Sequence, residues 1–168
     1  MSKPKKKGAG CDFNPRWFWT QTNIENVLKL LPGLQKPIFH ICSGVSNIGD
    51  VRLDRSFIVL PLNGKYPIQY QGSCHLKGDM CNIPFKSGVA GSVICDPPYR
   101  YKFNDKTLIQ ELVRICKPTG NILFIAPWIP RTDVLRVKYY DLWKCGNNPY
   151  YKIASISQKV QSQIEDYL

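Results

Sequence analysis

The chain has 168 residues, of which 43% are hydrophobic and 21% are charged, and its formal net charge is +11. This length fits one globular domain, and the composition excludes a globally disordered chain. No apolar run approaches the ~20 residues of a membrane-spanning helix, so we expect a soluble, intracellular, cytoplasmic protein without a membrane partner. The excess of positive charge favours a polyanionic partner.

The N-terminal part begins with a segment rich in Lys, Pro and Gly, residues 1–10, that predicts a disordered basic tail. The expected domain therefore covers residues 11–168. The first predicted helix has Thr22 or Asn23 as its N-cap and ends at Pro32-Gly33.

The seven cysteines form no Cys-x-x-Cys pair, and the chain has only two histidines. Several of these cysteines lie inside apolar runs, where Cys behaves as a small buried hydrophobic residue. We expect reduced thiols and no metal site.

The first predicted strand, residues 37–41, leads into a turn of small residues, Cys42-Ser43-Gly44. After a second loop, residues 50–54 form a short predicted strand that ends in Asp54. A small-residue turn lets a ligand approach the backbone closely, and a carboxylate at the end of the next strand can bind ribose hydroxyls. Cys42, Ser43, Gly44 and Asp54 are therefore candidate ligand-binding residues.

Residues 56–72 contain Asn63-Gly64 between two apolar runs, which predicts a β-hairpin inserted beside the main sheet. Downstream, the apolar run 91–95 ends at Asp96-Pro97-Pro98-Tyr99. Two consecutive prolines restrict φ and remove two backbone donors, so the carbonyl group of Asp96 or Pro97 can accept a hydrogen bond from a ligand.

The C-terminal half alternates between helix and strand signals. Asp105 caps a predicted helix that runs to Ile115 and ends in a turn at 117–120, and a buried strand follows at 121–126. Two strands at 139–145 and 150–157, joined by a tight turn, complete the pattern. This order predicts an α/β sheet with ligand sites at the carboxyl ends of its strands.

The order of motifs from Gly78-Asp79 through Ile83-Pro84-Phe85 to Asp96-Pro97-Pro98-Tyr99 resembles class I S-adenosylmethionine-dependent methyltransferases. Within that class it is similar to the enzymes that methylate adenine N6 or cytosine N4. The resemblance spans roughly residues 36–157. It implies a single-domain Rossmann-like fold with a mostly parallel sheet and an antiparallel C-terminal strand. Because Gly44 and Gly78 are close in sequence, we expect the helix after the first strand to be shortened or missing.

The resemblance also implies which residues bind S-adenosylmethionine. Asp79 would receive the adenine amine of the cofactor, and the loop after it would supply apolar walls. The complete set of expected cofactor-binding residues is Cys42, Ser43, Gly44, Asp54, Asp79, Met80, Ile83 and Phe85.

The catalytic residues implied by the resemblance are Asp96, Pro97, Pro98 and Tyr99. The Asp96 carboxylate and the Pro97 carbonyl would each accept one N–H of the target amine, while Tyr99 stacks on the base. The expected substrate-binding residues are Tyr99, Arg100, Lys102 and Trp128.

These features predict an S-adenosylmethionine-dependent DNA methyltransferase, with adenine N6 as the leading candidate target. Cytosine N4 is chemically equivalent for this motif, and RNA is a second possible polymer. One alternative is a nucleic-acid-binding subunit of a methyltransferase complex that has little catalytic activity of its own. Methylation of protein glutamine is a less favoured alternative. Because the chain has no room for a large target-recognition domain, a partner subunit or a homodimer is a further expectation.

Overall fold

The computed structural model describes residues 21–55, 74–98, 105–144 and 151–160, which form one seven-stranded sheet with two α-helices. The helices are α1 (Gln21–Leu30), continued by a 3-10 turn (Leu31–Gly33), and α2 (Asp105–Ile115). The strands are β1 (Ile38–Ile41), β2 (Val51–Asp54), β3 (Leu76–Lys77), β4 (Ala90–Cys95), β5 (Cys116–Ala126), β6 (Leu135–Lys144) and β7 (Tyr151–Lys159).

The strand order across the sheet is β3-β2-β1-β4-β5-β7-β6. Strands β1 to β5 pair in parallel, whereas β7 is antiparallel to both β5 and β6. The order in which strands are added reverses between β1 and β4, since β2 and β3 lie on one side of β1 and β4 and β5 lie on the other. Ligands of open α/β sheets bind beyond the carboxyl ends of the strands at such a switch point. The predicted Rossmann-like α/β architecture with an antiparallel C-terminal strand is confirmed.

The core has two layers, one on each face of the sheet. Val93, Ile122 and Phe124 face α2, and Ile94 and Leu123 face α1. Every residue of β4 is buried, as expected for a central parallel strand that is covered on both faces.

The connection between β1 and β2, residues 42–50, contains no helix. Instead, the Asp50 carboxylate accepts a 2.8 Å hydrogen bond from the Ile38 amide, and the Ser43 amide donates to the Leu53 carbonyl over 3.2 Å. The predicted loss of the helix after the first strand is confirmed.

The connection between β5 and β6, residues 127–134, also lacks a helix, and the outer strand β6 is exposed along most of its length. Tyr140 keeps 63% of its surface accessible and Leu142 keeps 61%.

Some sequence-based expectations differ from the structure at the ends of elements. Thr22 and Asn23 lie inside α1, which begins at Gln21, so neither is the N-cap. Asp105, likewise expected as a cap, is the first residue of α2. The turn expected at 117–120 is a bulge within β5, because the register passes from Cys116 opposite Ala90 to Asn121 opposite Ser92. A bulge tolerates a proline that cannot donate to the ladder.

Several sequence-based expectations concern residues that the structure does not describe. The basic tail, the hairpin at 56–72, the turn at 146–149 and the side chains of Tyr99, Arg100 and Lys102 lie outside the described residues. No helix within the described ranges is long and apolar enough to cross a membrane.

Candidate active site

The carboxyl edge of the parallel strands collects most of the site residues that were expected from the sequence. Cys42, Ser43 and Gly44 follow β1, Asp54 ends β2, Asp79 and Met80 follow β3, Asp96, Pro97 and Pro98 follow β4, and Trp128 follows β5. Because these residues come from five strands, only the sheet order brings them to one edge.

The turn after β1 has an unusual backbone. Cys42 and Gly44 have φ angles of 59° and 53°, in the left-handed region that costs a non-glycine residue about 1 to 3 kcal/mol. Between them, the buried Ser43 hydroxyl has no hydrogen-bond partner among the residues that are described. A buried unsatisfied hydroxyl in a strained turn suits a polar ligand that supplies the missing partner.

Three sulfur-bearing side chains meet beside this turn. The Cys42 thiol lies 3.3 Å from the Met80 sulfur and is also within hydrogen-bonding reach of Cys95. A thiol carries one hydrogen, so Cys42 donates to one of these neighbours at a time. Its hydrogen bond with Cys95 and its burial raise the pKa of the Cys42 thiol well above its usual value. The thiol therefore stays neutral and forms an apolar wall rather than a nucleophile.

Asp54 and Asp79 both accept hydrogen bonds from nearby backbone amides. The Gly44 amide donates to the Asp54 carboxylate over 2.8 Å, which ties the end of β2 to the turn after β1. Asp79 is exposed and accepts a 2.8 Å hydrogen bond from the Cys81 amide, which stabilises its own turn. Both carboxylates thus lie at the expected edge while also shaping the loops that carry them.

The loop after β3 is held to α2 by a charged pair. Glu111 accepts a hydrogen bond from the Ile83 amide at 2.7 Å, and Arg114 donates to the carbonyl groups of Ile83 and Phe85 at 2.8 and 2.6 Å. Arg114 also pairs with Glu111 at 2.7 Å, and this hydrogen bond is the main cause of the lowered pKa of Glu111. We refer to Glu111 and Arg114 as the helix clamp.

Two of the expected apolar walls are directed into the core. Ile83 is only 3% exposed and belongs to the cluster that packs under α2. The half-buried Phe85 packs edge-on against Phe39, with 4.9 Å between ring centroids. The structure therefore places Met80 beside Cys42 at the edge, and places Ile83 and Phe85 beneath it.

The carboxylate of Asp96 forms a salt bridge that was not expected. Lys152, on β7, places its ammonium 3.0 Å from Oδ1 and 2.8 Å from Oδ2 of Asp96. The side chains of Lys152 and Asp96 are only 7% and 14% exposed. The pair therefore holds the carboxylate in one orientation at the carboxyl end of β4.

His40 is a buried residue of β1, two positions before Cys42. Its ring nitrogen Nδ1 is 3.0 Å from the Ile48 carbonyl, which assigns the proton to Nδ1 because a carbonyl only accepts. Burial is the main reason why the pKa of His40 is lowered to about 4. The imidazole is therefore neutral near pH 7 and serves as a buried support.

Trp128 lies just beyond β5 and is half-buried. Its ring meets Phe124 edge-on, with 6.2 Å between centroids. It follows β5 at the carboxyl edge, to which Asp96 also belongs.

A cavity of about 670 Å³ lies at the opposite edge of the sheet, near the start of β1. Its lining comes from α1, the 3-10 turn and residues 47–50, and includes none of the expected site residues. The candidate catalytic and cofactor-binding residues at the carboxyl edge are therefore at the opposite end of the strands from this cavity.

Comparison with known proteins supports the architecture. No family model matches the chain, and no curated protein matches its sequence. Solved structures do match. A SAM-dependent methyltransferase from Aquifex aeolicus is 14% identical, with a TM-score of 0.51 over 81% of this chain and 89% of that one. The chain has the fold of SAM-dependent methyltransferases.

Two other solved structures agree with this result. A SAM-dependent methyltransferase from Methanosarcina mazei is 9% identical, with a TM-score of 0.52 over 79% of this chain and 98% of that one. Magnesium protoporphyrin IX methyltransferase from Synechocystis, crystallised with bound SAM, is 11% identical, with a TM-score of 0.53 over 82% of this chain and 79% of that one. At these identities the likeness concerns the fold, and the named substrate belongs to that neighbour.

Sequence reasoning missed Lys152 and the helix clamp. The signal for Lys152 is its position in the run 150–157, where the alternate residues Ala154 and Ile156 face the core. A lysine on the inward face of a strand requires a buried partner. The clamp has a weaker signal, because Glu111 and Arg114 are three apart on α2 and such pairs are common on solvent-exposed faces.

Proposed function

We propose that this protein is an S-adenosylmethionine-dependent methyltransferase that transfers a methyl group to an exocyclic amine of a nucleic-acid base. Adenine N6 in DNA is the first candidate, and cytosine N4 and RNA are the alternatives. The observation that carries the proposal is the Asp96 carboxylate, held by Lys152 at the carboxyl end of β4 and followed by two prolines.

The turn after β1 supports the choice of cofactor. The unsatisfied Ser43 hydroxyl and the strained backbone around it suit a polar ligand, and Cys42 and Met80 offer a neutral, apolar surface next to it. Asp79, exposed at the same edge, is suited to accept a hydrogen bond from an amine. When bound, S-adenosylmethionine supplies a methyl group that is activated by a sulfonium.

Asp96 and the prolines after it account for the choice of acceptor. The lone pair of a base amine is conjugated with the ring, so the amine is a poor nucleophile. Accepting one N–H at the Asp96 carboxylate and the other at the Pro97 carbonyl favours a pyramidal nitrogen whose lone pair is available. Catalysis then depends on positioning and electrostatics, because the carboxylate is already oriented before the substrate binds.

The charge and composition of the outer strands support a nucleic-acid substrate. The exposed part of β6 carries both aromatic and basic side chains, which are Arg136, Lys138, Tyr139, Tyr140 and Lys144. Aromatic rings stack on unpaired bases and cations neutralise phosphates, so such a strand suits a single-stranded segment. The formal charge of +11 also favours binding to a polyanion.

The decisive experiment measures transfer of a labelled methyl group. The protein is incubated with labelled S-adenosylmethionine and with double-stranded DNA, single-stranded DNA or RNA, and the modified nucleoside is identified by mass spectrometry. We expect N6-methyladenine from DNA. Asp96→Asn should abolish transfer, whereas Asp133→Asn, which changes an exposed carboxylate with only local contacts, should not. Label in protein but not in any nucleic acid would contradict the proposal.

A catalytically weak binding subunit is the second candidate, and one observation favours it. Asp54 and Asp96, two carboxylates expected to contact ligands, already pair with Gly44 and Lys152. Calorimetry separates the two candidates. Tight binding of nucleic acid with no measurable binding of S-adenosylmethionine would identify a subunit that needs a catalytic partner or a second copy.

A further inference from the structure

One face of β6 presents large side chains to solvent on the same side of the sheet as α2. In the pairing with β7, Tyr140 lies opposite Ser155, which lies opposite Phe124 in the core cluster under α2. Leu142, two positions further along β6, is on the same face. Tyr140 is 63% exposed and Leu142 is 61% exposed, so this face is uncovered over the middle of the strand.

The same face continues to the carboxyl edge of the sheet. There, Lys144 at the end of β6 lies opposite Tyr151 at the start of β7, and Tyr151 is 54% exposed. Tyr151 directly precedes Lys152, whose ammonium contacts the Asp96 carboxylate. The exposed face therefore begins one residue from the candidate active site. We refer to it as the outer platform, which consists of Tyr140, Leu142, Lys144 and Tyr151.

The outer platform is open because the connection between β5 and β6 contains no helix. Both strands are antiparallel to β7 and therefore run in the same direction, so this connection, residues 127–134, has to return along the strands. Near its two ends, Trp128 and Leu135 pack on the cluster under α2. An irregular segment covers less of the sheet than a helix of about 10 Å diameter, and β6 stays exposed beyond it.

Charge decides which partner the outer platform fits. The basic residues of β6 are Arg136, Lys138 and Lys144, whereas Asp141 is its one acidic residue, and the formal charge of the chain is +11. A second copy of this chain would bring like charges together at this strand, whereas a polyanion would be attracted to it. Aromatic rings beside basic side chains are the combination that binds unpaired bases and their phosphates.

We propose that the outer platform binds the single-stranded segment that flanks the target base, with Tyr140 and Tyr151 stacked on unpaired bases and Lys144 next to a phosphate. This inference rests on the proposed function and extends it from the reacting base to its neighbours. A strand whose target base lies at Asp96 reaches Tyr151 first and then follows β6. Stacking selects unpaired nucleotides without reading their sequence.

The binding test compares strands with and without bases. Fluorescence anisotropy measures the Kd of a labelled oligothymidylate of about 15 nucleotides and of an abasic strand of the same length. Stacking on one aromatic side chain strengthens binding by about 5- to 150-fold per base, so the unmodified protein should prefer the oligothymidylate by about fivefold or more.

Variants of two neighbouring tyrosines assign the effect to one face. Tyr140→Leu should weaken binding of the oligothymidylate by about 5- to 150-fold and leave the abasic strand unaffected, and Tyr140→Phe, which keeps the ring, should bind normally. The matched control is Tyr139→Leu. Tyr139 is 46% exposed and lies opposite Ile156, which faces the α1 side, so its loss should change the Kd by no more than about twofold.

Methyl transfer connects the outer platform with the candidate active site. For one adenine within the oligothymidylate, Tyr140→Leu should raise KM by about 5- to 150-fold and leave kcat within about twofold, because the ring contacts a flanking base and not the reacting one. A trinucleotide with a central adenine is too short to reach Tyr140. Its kcat/KM should be the same for the variant and the unmodified protein.

The outcomes separate this inference from the proposed function. Equal binding of the two strands, or equal effects of Tyr140→Leu and Tyr139→Leu, would overturn the outer platform and leave the proposed function standing. If no strand is methylated although S-adenosylmethionine binds, and the binding results are as expected, the proposed function fails and the single-strand-binding surface stands. A dimer in sedimentation that Tyr140→Lys converts to monomers would assign this face to a second copy and overturn the inference.

Discussion

The Asp96–Lys152 salt bridge is the residue-level feature that most affects the proposed chemistry. Removing one partner of a buried pair leaves an uncompensated charge, whereas replacing both partners by uncharged groups is often neutral. The 14% exposure of Asp96 reduces the penalty relative to a fully buried charge. The pair therefore serves the orientation of the carboxylate more than the free energy of folding.

A double-mutant cycle tests this interpretation. Asp96→Asn and Lys152→Met should each lower the free energy of unfolding by about 2 to 4 kcal/mol, because each removes the opposite charge that compensates the remaining buried ion. The double variant should recover most of that loss and still transfer no methyl group. Urea denaturation and the transfer assay measure the two effects. Additive losses of stability would show that the two side chains are not coupled.

His40 predicts a pH dependence of stability. Burial lowers its pKa from 6.5 to about 4, so the unfolded chain binds the proton more readily than the folded one. The stabilising contribution is complete above pH 6.5 and is lost as the pH falls from 6.5 through 4. Between pH 7 and pH 5 this amounts to about 2 kcal/mol.

Urea denaturation of the wild type and of His40→Asn measures the effect, because Asn can still donate to the Ile48 carbonyl but does not titrate in this range. From pH 7 to pH 5, the wild type should lose about 2 kcal/mol more than the variant. Parallel stability curves for the two proteins would show that folding does not lower the pKa of His40.

At the scale of elements, the helix clamp fixes the loop after β3 in position against α2. Glu111 and Arg114 together make three hydrogen bonds to the backbone of Ile83 and Phe85. The same loop carries Asp79 and Met80 to the carboxyl edge. A single helix thus positions a segment of the candidate cofactor site that has no regular structure of its own.

Arg114→Met should weaken the binding of S-adenosylmethionine by about 5- to 30-fold. Without the clamp, the loop after β3 has to become ordered when the ligand binds, and this ordering costs about 1 to 2 kcal/mol of the binding free energy. Glu111→Gln should have a smaller effect, because an amide oxygen can still accept from the Ile83 amide. Isothermal calorimetry compares the two variants with Lys106→Met, an exposed change on the same helix. Unchanged affinity in Arg114→Met would remove the clamp from the cofactor site.

At the scale of the whole molecule, the positive charge predicts binding to nucleic acid that depends strongly on salt. The logarithm of the association constant should fall linearly with the logarithm of salt concentration, by about 0.7 for each phosphate that is neutralised on a single strand. Replacing both Lys138 and Lys144 by alanine should reduce this slope by about 1.4.

The control replaces Lys106 and Lys117, which removes the same charge away from β6. It should leave the slope nearly unchanged. Fluorescence anisotropy between 50 and 200 mM salt measures both variants. Equal slopes for the two double variants would show that the charge acts as a diffuse field rather than through β6.

The sequence determined the architecture and most of the candidate edge, for a local reason. Apolar runs that end in small residues, proline or a carboxylate predict parallel strands with their functional groups at the carboxyl ends, and the structure places Gly44, Asp54 and Asp96 there. Asp79 was expected from the family resemblance alone, because the two-residue strand β3 before it is not an apolar run. The absence of a helix after β1 was also readable, because the short spacing between motifs leaves little room for one. These features depend on the order of residues along the chain.

Only the tertiary structure decided which charges meet. Lys152 is 56 residues from Asp96 in sequence. The two become neighbours because β7 inserts between β5 and β6 and begins at the carboxyl edge, where Ile153 lies opposite Ala126. Likewise, the path of the loop after β3 across α2 decided that Ile83 and Phe85 pack into the core while Met80 reaches Cys42. Local patterns place each residue on a strand or a loop, but partners distant in sequence depend on strand order and packing, which a local pattern does not contain.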